Sequence, residues 1–172
     1  MIDYTTQQHL SNAIAKGLTD NIDSWFTGTD IDKCCVGPEW STDINLWTWV
    51  IHDHVNTPSE NTISRFKEFN QIVNQIPEVF ATHLAFIGPN SIVPKHGDTD
   101  SRGRNPILEY NLLLGCIAPN SPSKDVMLNV MGIEAPIVKG QGILFDGEKE
   151  HWAYNNTDHW IVTSTLYIRG LK

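Results

Sequence analysis

His96 and Asp98 stand two residues apart in the stretch PKHGDTD, and His151 follows far downstream in GILFDGEKEHWAYNN. Positions i and i+2 of an extended segment point to the same side, so an imidazole and a carboxylate there converge on one point. A second imidazole from a distant strand completes a facial set of two histidines and one carboxylate. That donor set suits non-haem Fe(II) and leaves adjacent positions for a chelating 2-oxo acid and dioxygen. The blander readings are a solvated polar turn for His96 and Asp98, and a turn histidine beside Trp152 for His151.

His52-Asp53-His54 competes as a site, because it places two imidazoles on one strand face as a zinc or cupin centre would. A cupin motif needs a glycine six residues before its first histidine, where Leu46 stands. It also needs a glutamate four or five residues after its second, whereas Glu60 comes six after His54. The pair therefore reads as strand-end histidines with ordinary hydrogen bonds. Asp146, Glu148 and Glu150 sit at a DG hairpin, where Asp146 caps the turn that aims His151. Trp47, Trp49, Trp152 and Trp160 read as sheet core, with a pocket lining as the alternative.

The elements that must hold these residues change character near residue 80. Before it, Leu10, Ile14 and Leu18 mark a helix over Thr5–Leu18, and Ile63, Phe66, Phe69, Ile72 and Val73 mark a second over Ser59–Ile76. Between them Trp47, Trp49 and Ile51 alternate with Thr48, Val50 and His52, the period of a strand. After it come short β segments: His83–Ile87, Ile92–Lys95, Leu108–Ile117, Val126–Val130, Pro136–Val138, Gly142–Phe145, Trp152–Asn155 and Trp160–Ile168. Short strands punctuated by turn residues predict an α+β, mainly β architecture, a jelly roll with the N-terminal helices on one face. One domain over 1–172 is expected, with a helical and strand support region over 1–80 and the jelly-roll core over 81–172.

Composition narrows the classes further. Twelve basic against twenty acidic residues in 172 give a net charge of −8, which argues against a nucleic-acid or anionic-membrane partner. No run approaches the ~18–20 apolar residues of a membrane span, and MIDYTTQQHL lacks the features of a secretory signal. Cys34, Cys35 and Cys116 form no secreted disulfide pattern, so a reducing, cytoplasmic location is expected, and Cys116 reads as a buried small hydrophobe.

The run IPEVFATHLAFIGPNSIVPKHGD carries a Gly-Pro turn, an apolar-x-Pro pair and His96. LNVMGIEAPIVKGQGILFDGEKEHWAYNNTDHWIV carries an apolar-x-Val-Met-Gly step, a glycine before a strand, a Phe-Asp turn, His151 and Asn-x-Thr-Asp. Together these blocks, over most of residues 76–169, resemble the aspartyl/asparaginyl β-hydroxylase family. The resemblance implies a double-stranded β-helix that binds Fe(II) and uses 2-oxoglutarate and dioxygen to hydroxylate an unactivated carbon. By matching positions it implies His96 and His151 as metal ligands. Many family members have glycine where Asp98 stands, so this chain departs toward the fuller triad of His96, Asp98 and His151.

Two family cations are replaced. An arginine about ten residues after the distal histidine, which anchors the far carboxylate of 2-oxoglutarate, corresponds to Ile161, and an Arg-x-His-Leu motif reads Glu109-Tyr110-Asn111-Leu112. His159 and Thr163, on the strand face of Ile161, Asn111, and Arg102 and Arg104 in DTDSRGRN are the candidates for binding cosubstrate or substrate. Arginine's planar fork suits a carboxylate. The expected function is Fe(II)- and 2-oxoglutarate-dependent hydroxylation of an amino-acid-like or peptidyl (Asp/Asn-type) small substrate, by a monomer or homodimer. The alternatives are a non-catalytic jelly-roll binding module, or a cupin-type isomerase using His52 and His54.

Overall fold

A computed structural model describes residues 2–20, 25, 33–35, 45–54, 57–98 and 108–169. Helix α1 (Tyr4–Gly17) starts where the Asp3 carboxylate accepts the Thr6 backbone N–H at 2.7 Å. Its apolar stripe, Leu10, Ala13 and Ile14, is buried, as is Leu18 just beyond its end. The second helical segment is two helices, α2 (Glu60–Arg65) and α3 (Lys67–Val73), rather than the continuous helix expected over Ser59–Ile76. The break at Phe66 (φ −106°, ψ 31°) shifts the phase of the stripe. Phe66, Phe69 and Val73 remain buried, Ile63 turns outward at 38% exposure, and Thr62 is buried instead, accepting the Trp49 indole N–H at 3.0 Å.

The described residues form ten strands: β1 (Lys33–Cys35), β2 (Leu46–Asp53), β3 (Val79–Ile87), β4 (Ser91–His96), β5 (Leu108–Ile117), β6 (Val126–Val130), β7 (Ile133–Pro136), β8 (Gly142–Phe145), β9 (His151–Asn155) and β10 (Ile161–Arg169). They form a six-stranded sheet, β1-β2-β3-β10-β5-β8, and a four-stranded sheet, β4-β9-β6-β7. All the pairings within them are antiparallel. From β3 onward the chain passes between the two sheets in the order of a double-stranded β-helix, with β1 and β2 extending the larger sheet. β7 lies earlier than the Pro136–Val138 expected from sequence. Met131 and Gly132 both take positive φ (52° and 86°) and close a two-residue hairpin, so pairing begins at once with Val130 opposite Ile133.

The alternation sorts side chains into two cores. On the outer face of the larger sheet, Leu84 and Phe86 of β3, Leu112 and Leu114 of β5, and Val162 and Leu166 of β10 pack with Leu10, Ile14, Phe66 and Phe69 of the helices. Between the sheets, Leu46, Ile87, Leu113, Leu128, Phe145 and Ile161 pack together. Gly115 of β5 allows a close approach, since a Cβ there would lie 2.4 Å from the Val138 carbonyl oxygen. Its own carbonyl accepts from the Ser11 hydroxyl at 2.9 Å and so fastens α1 to the sheet. No helix among the described residues is long and apolar enough to cross a membrane.

Candidate metal centre

His96 ends β4 and His151 begins β9, and the two are direct cross-strand partners. The register between them is irregular. Val93 pairs with Ala153 and His96 with His151, so Pro94 and Lys95 together oppose Trp152 as a β-bulge. Pro94 is tolerated because β4 is an edge strand, where a missing N–H breaks no ladder on the outer side. His96 stands at i+3 from Val93, a spacing that would face the two oppositely on a regular strand. The bulge lets both line the same cavity.

Each imidazole is held by its own strand. Nδ1 of His96 lies 2.8 Å from the Pro94 carbonyl oxygen, and Nδ1 of His151 lies 2.8 Å from that of Lys149. A carbonyl only accepts, so Nδ1 carries the proton in both rings and each Nε2 keeps its lone pair for an electrophile. The ring centroids are 4.2 Å apart. Asp98 closes the group: Oδ1 is 3.7 Å from Nε2 of His96, and Oδ2 is 4.0 Å from Nε2 of His151. These separations are too long for hydrogen bonds and close to the spacing of donors around one ion. One donor atom from each of the three residues lies within 4.8 Å of the others, and among the described residues this is the group with that property.

The loop that carries Asp98 is tied to the hairpin before His151. The Asp98 N–H donates to the Gly147 carbonyl at 2.8 Å, and Asn111 Nδ2 of β5 donates to Asp98 Oδ2. Two glycines make this possible: a Cβ on Gly97 would sit 2.8 Å from the Glu148 carbonyl oxygen, and one on Gly147 would sit 2.5 Å from Asn111 Nδ2. Asp146 caps the same turn, its Oδ1 accepting the Glu148 N–H at 3.0 Å. Phe145 backs the His151 ring edge-on at 4.9 Å, and His151 is buried while His96 and Asp98 are partly exposed. A two-imidazole, one-carboxylate set with oriented tautomers fits a divalent first-row ion.

A cavity of about 400 Å³ runs inward from this triad between the sheets. Its wall on β10 and β3 is polar, with Thr163, Thr165, Tyr167 and His83, and its opposite wall carries Val93, Leu128 and Ala153. No lysine or arginine lines it among the described residues. Asn111 and Thr163 line the cavity. His159 does not: its ring is exposed on the β9–β10 turn, where its carbonyl accepts from Asn155 Nδ2 at 2.7 Å. Arg102 and Arg104 lie outside the described residues. Ile161 is buried in the core between the sheets, so the position of the family arginine is filled with hydrocarbon.

Sequence reasoning passed over His83. It is the one ionisable residue in the apolar strand VFATHLAFI, and that signal marks it out. Trp47 and Trp152 line the cavity, whereas Trp49 is core and Trp160 packs against core. His52 and His54 make ordinary contacts, Nδ1 of His52 with Asn70 Oδ1 at 3.2 Å and Nε2 of His54 with the Val79 carbonyl at 3.1 Å. Cys116 is fully buried, and burial pushes its thiol far above the usual range, which keeps it from acting as a nucleophile.

A family model described as aspartyl/asparaginyl beta-hydroxylase matches residues 13–160. Among curated proteins no sequence match is found. Solved structures with a similar course of the chain include a 2OG-Fe(II) oxygenase family oxidoreductase from Burkholderia pseudomallei, at 10% identity, TM-score 0.47 and coverage of 73% of this chain and 69% of that one. A viral collagen prolyl hydroxylase from Paramecium Bursaria Chlorella virus-1, solved with 2OG, aligns at 16% identity and TM-score 0.45, over 74% and 81%. A predicted oxalate decarboxylase from Thermotoga maritima aligns at 12% identity and TM-score 0.44, over 73% and 81%.

Proposed function

Because the chain belongs to the aspartyl/asparaginyl β-hydroxylase family, we propose that it is a non-haem Fe(II)- and 2-oxoglutarate-dependent dioxygenase acting as one domain on an amino-acid-like or peptidyl substrate. The observation that carries this reading is the convergence of His96, Asp98 and His151 at the head of a cavity between the sheets. Fe(II) with 2-oxoglutarate supplies oxidation of an unactivated C–H bond by dioxygen, with carbon dioxide and succinate as coproducts. The chain's own part is positional. Pro94 and Lys149 carbonyls orient the two imidazoles, Asn111 holds the carboxylate, and Phe145 keeps water from one side of His151.

Anaerobic addition of Fe(II) and 2-oxoglutarate should produce a metal-to-ligand charge-transfer absorption band. With dioxygen and candidate amino acids or peptides, succinate should appear. A His96→Ala protein that kept full turnover would sink the assignment.

The lack of lysine and arginine in the lining among the described residues, with the buried Ile161, favours a second reading, a jelly-roll binding module without catalysis. Tight anaerobic binding of 2-oxoglutarate that requires Fe(II) or Mn(II) contradicts it.

A further inference from the structure

Register places the polar cavity wall in rows across the larger sheet. The first row, Tyr167 opposite Asn111 opposite Phe145, abuts the metal centre, since Asn111 bonds Asp98 and Phe145 backs His151. The second row is His83 opposite Thr165, two residues along β10, or about 6.6 Å deeper at ~3.3 Å per residue. Thr163 stands four residues along, about 13 Å deeper, and beyond it the wall closes with Ile161 and Ile87.

Resting on the function proposed above, we propose that His83 and Thr165 receive the far carboxylate of a dicarboxylic 2-oxo acid chelated at the metal end, in place of an arginine. Length excludes the far row. A five-carbon diacid has four C–C bonds of about 1.5 Å between its carboxyl carbons, a contour of about 6 Å. It falls short of Thr163, whereas the ring of Tyr167 touches that of His83 and shares its end of the cavity. An imidazole N–H and a hydroxyl from facing strands donate to the two carboxylate oxygens, and the ring of Tyr167, 5.0 Å from that of His83 and edge-on, holds the imidazole in place.

The test is anaerobic calorimetry on the Mn(II)-loaded protein with 2-oxoglutarate and with 2-oxobutyrate, which lacks the far carboxylate. Wild type should bind 2-oxoglutarate at least tenfold more tightly. His83→Ala and Thr165→Val should each remove most of that preference while leaving 2-oxobutyrate affinity and Mn(II) stoichiometry unchanged, and His83→Gln should restore part of it. Equal loss of both acids, or an unaltered preference, overturns the assignment, as does a selective loss in an Arg102→Ala/Arg104→Ala protein with none in His83→Ala. If wild type with Mn(II) binds neither acid, the proposed function fails as well. If it binds 2-oxoglutarate and the His83 and Thr165 variants match it, only the anchor fails.

Discussion

Asn111 has no ligand atom in the triad, yet it donates to the one carboxylate oxygen that faces His151. Groups that orient a ligand from behind typically contribute ten- to a hundredfold to metal affinity. Asn111→Leu is therefore expected to weaken Mn(II) binding by about tenfold with the protein still folded, as competition against a chromophoric chelator would measure. The three proposed ligands should not be equal. His96→Ala removes a donor whose tautomer is set by the Pro94 carbonyl, and metal retention after gel filtration should be lost. Asp98→Gly leaves both imidazoles in place and should retain a measurable fraction of the metal. His96, Asp98 and His151 were legible from residue type and spacing together with the family resemblance. His83 was not, because its place depends on β10 lying beside β3, a contact that local sequence does not encode.

At the scale of elements, alternation and helical stripes carried most of the fold. The bounds of β5, β6 and β8 follow from their apolar runs and flanking turns. What escaped were events that change phase: the break at Phe66, the Met131-Gly132 hairpin and the bulge at Pro94 and Lys95. The break and the bulge change which way side chains face and the hairpin sets where pairing starts, local events that a period read in a window averages away. The outer helices matter to the site indirectly, by burying the back of the sheet that forms the cavity wall. Phe69 is fully buried there, and Phe69→Ala should destabilise the protein by about 3–5 kcal/mol. Urea unfolding measures that loss, and the Mn(II) affinity of the folded fraction should stay the same, which would separate scaffold from site.

For the whole molecule, His52 ties stability to pH. It is buried behind the larger sheet with Nδ1 on Asn70, and Nε2 has no partner among the described residues. Desolvation, the leading cause, pulls its pKa below the ordinary 6.5, against a smaller opposing effect of the Asn70 hydrogen bond. The unfolded chain then takes up a proton near pH 6.5 that the folded chain refuses. This contribution to stability is present above that pH and is lost as pH falls toward the depressed folded value. His52→Gln should flatten the fall in urea midpoint below pH 6.5 relative to wild type. A parallel pair of curves would show that His52 titrates alike in both states.

The placement of His96 on an edge strand has a mechanical consequence. Among the described residues β4 has β9 as its one ladder partner, so the ladder to β9, which ends at the His96–His151 pair, is the seam that holds its backbone to the sheet. An ion shared by the two imidazoles would act as a clasp at the end of that seam. By linkage, metal at a hundred times its dissociation constant adds about 2.7 kcal/mol to global stability. The amides of β4 should feel it first, because local opening of an edge strand costs less than global unfolding. Slowed hydrogen exchange along Ser91–His96 would then serve as a gauge of occupancy that needs no substrate. Unchanged exchange in saturating Mn(II) would mean that no clasp forms across the seam.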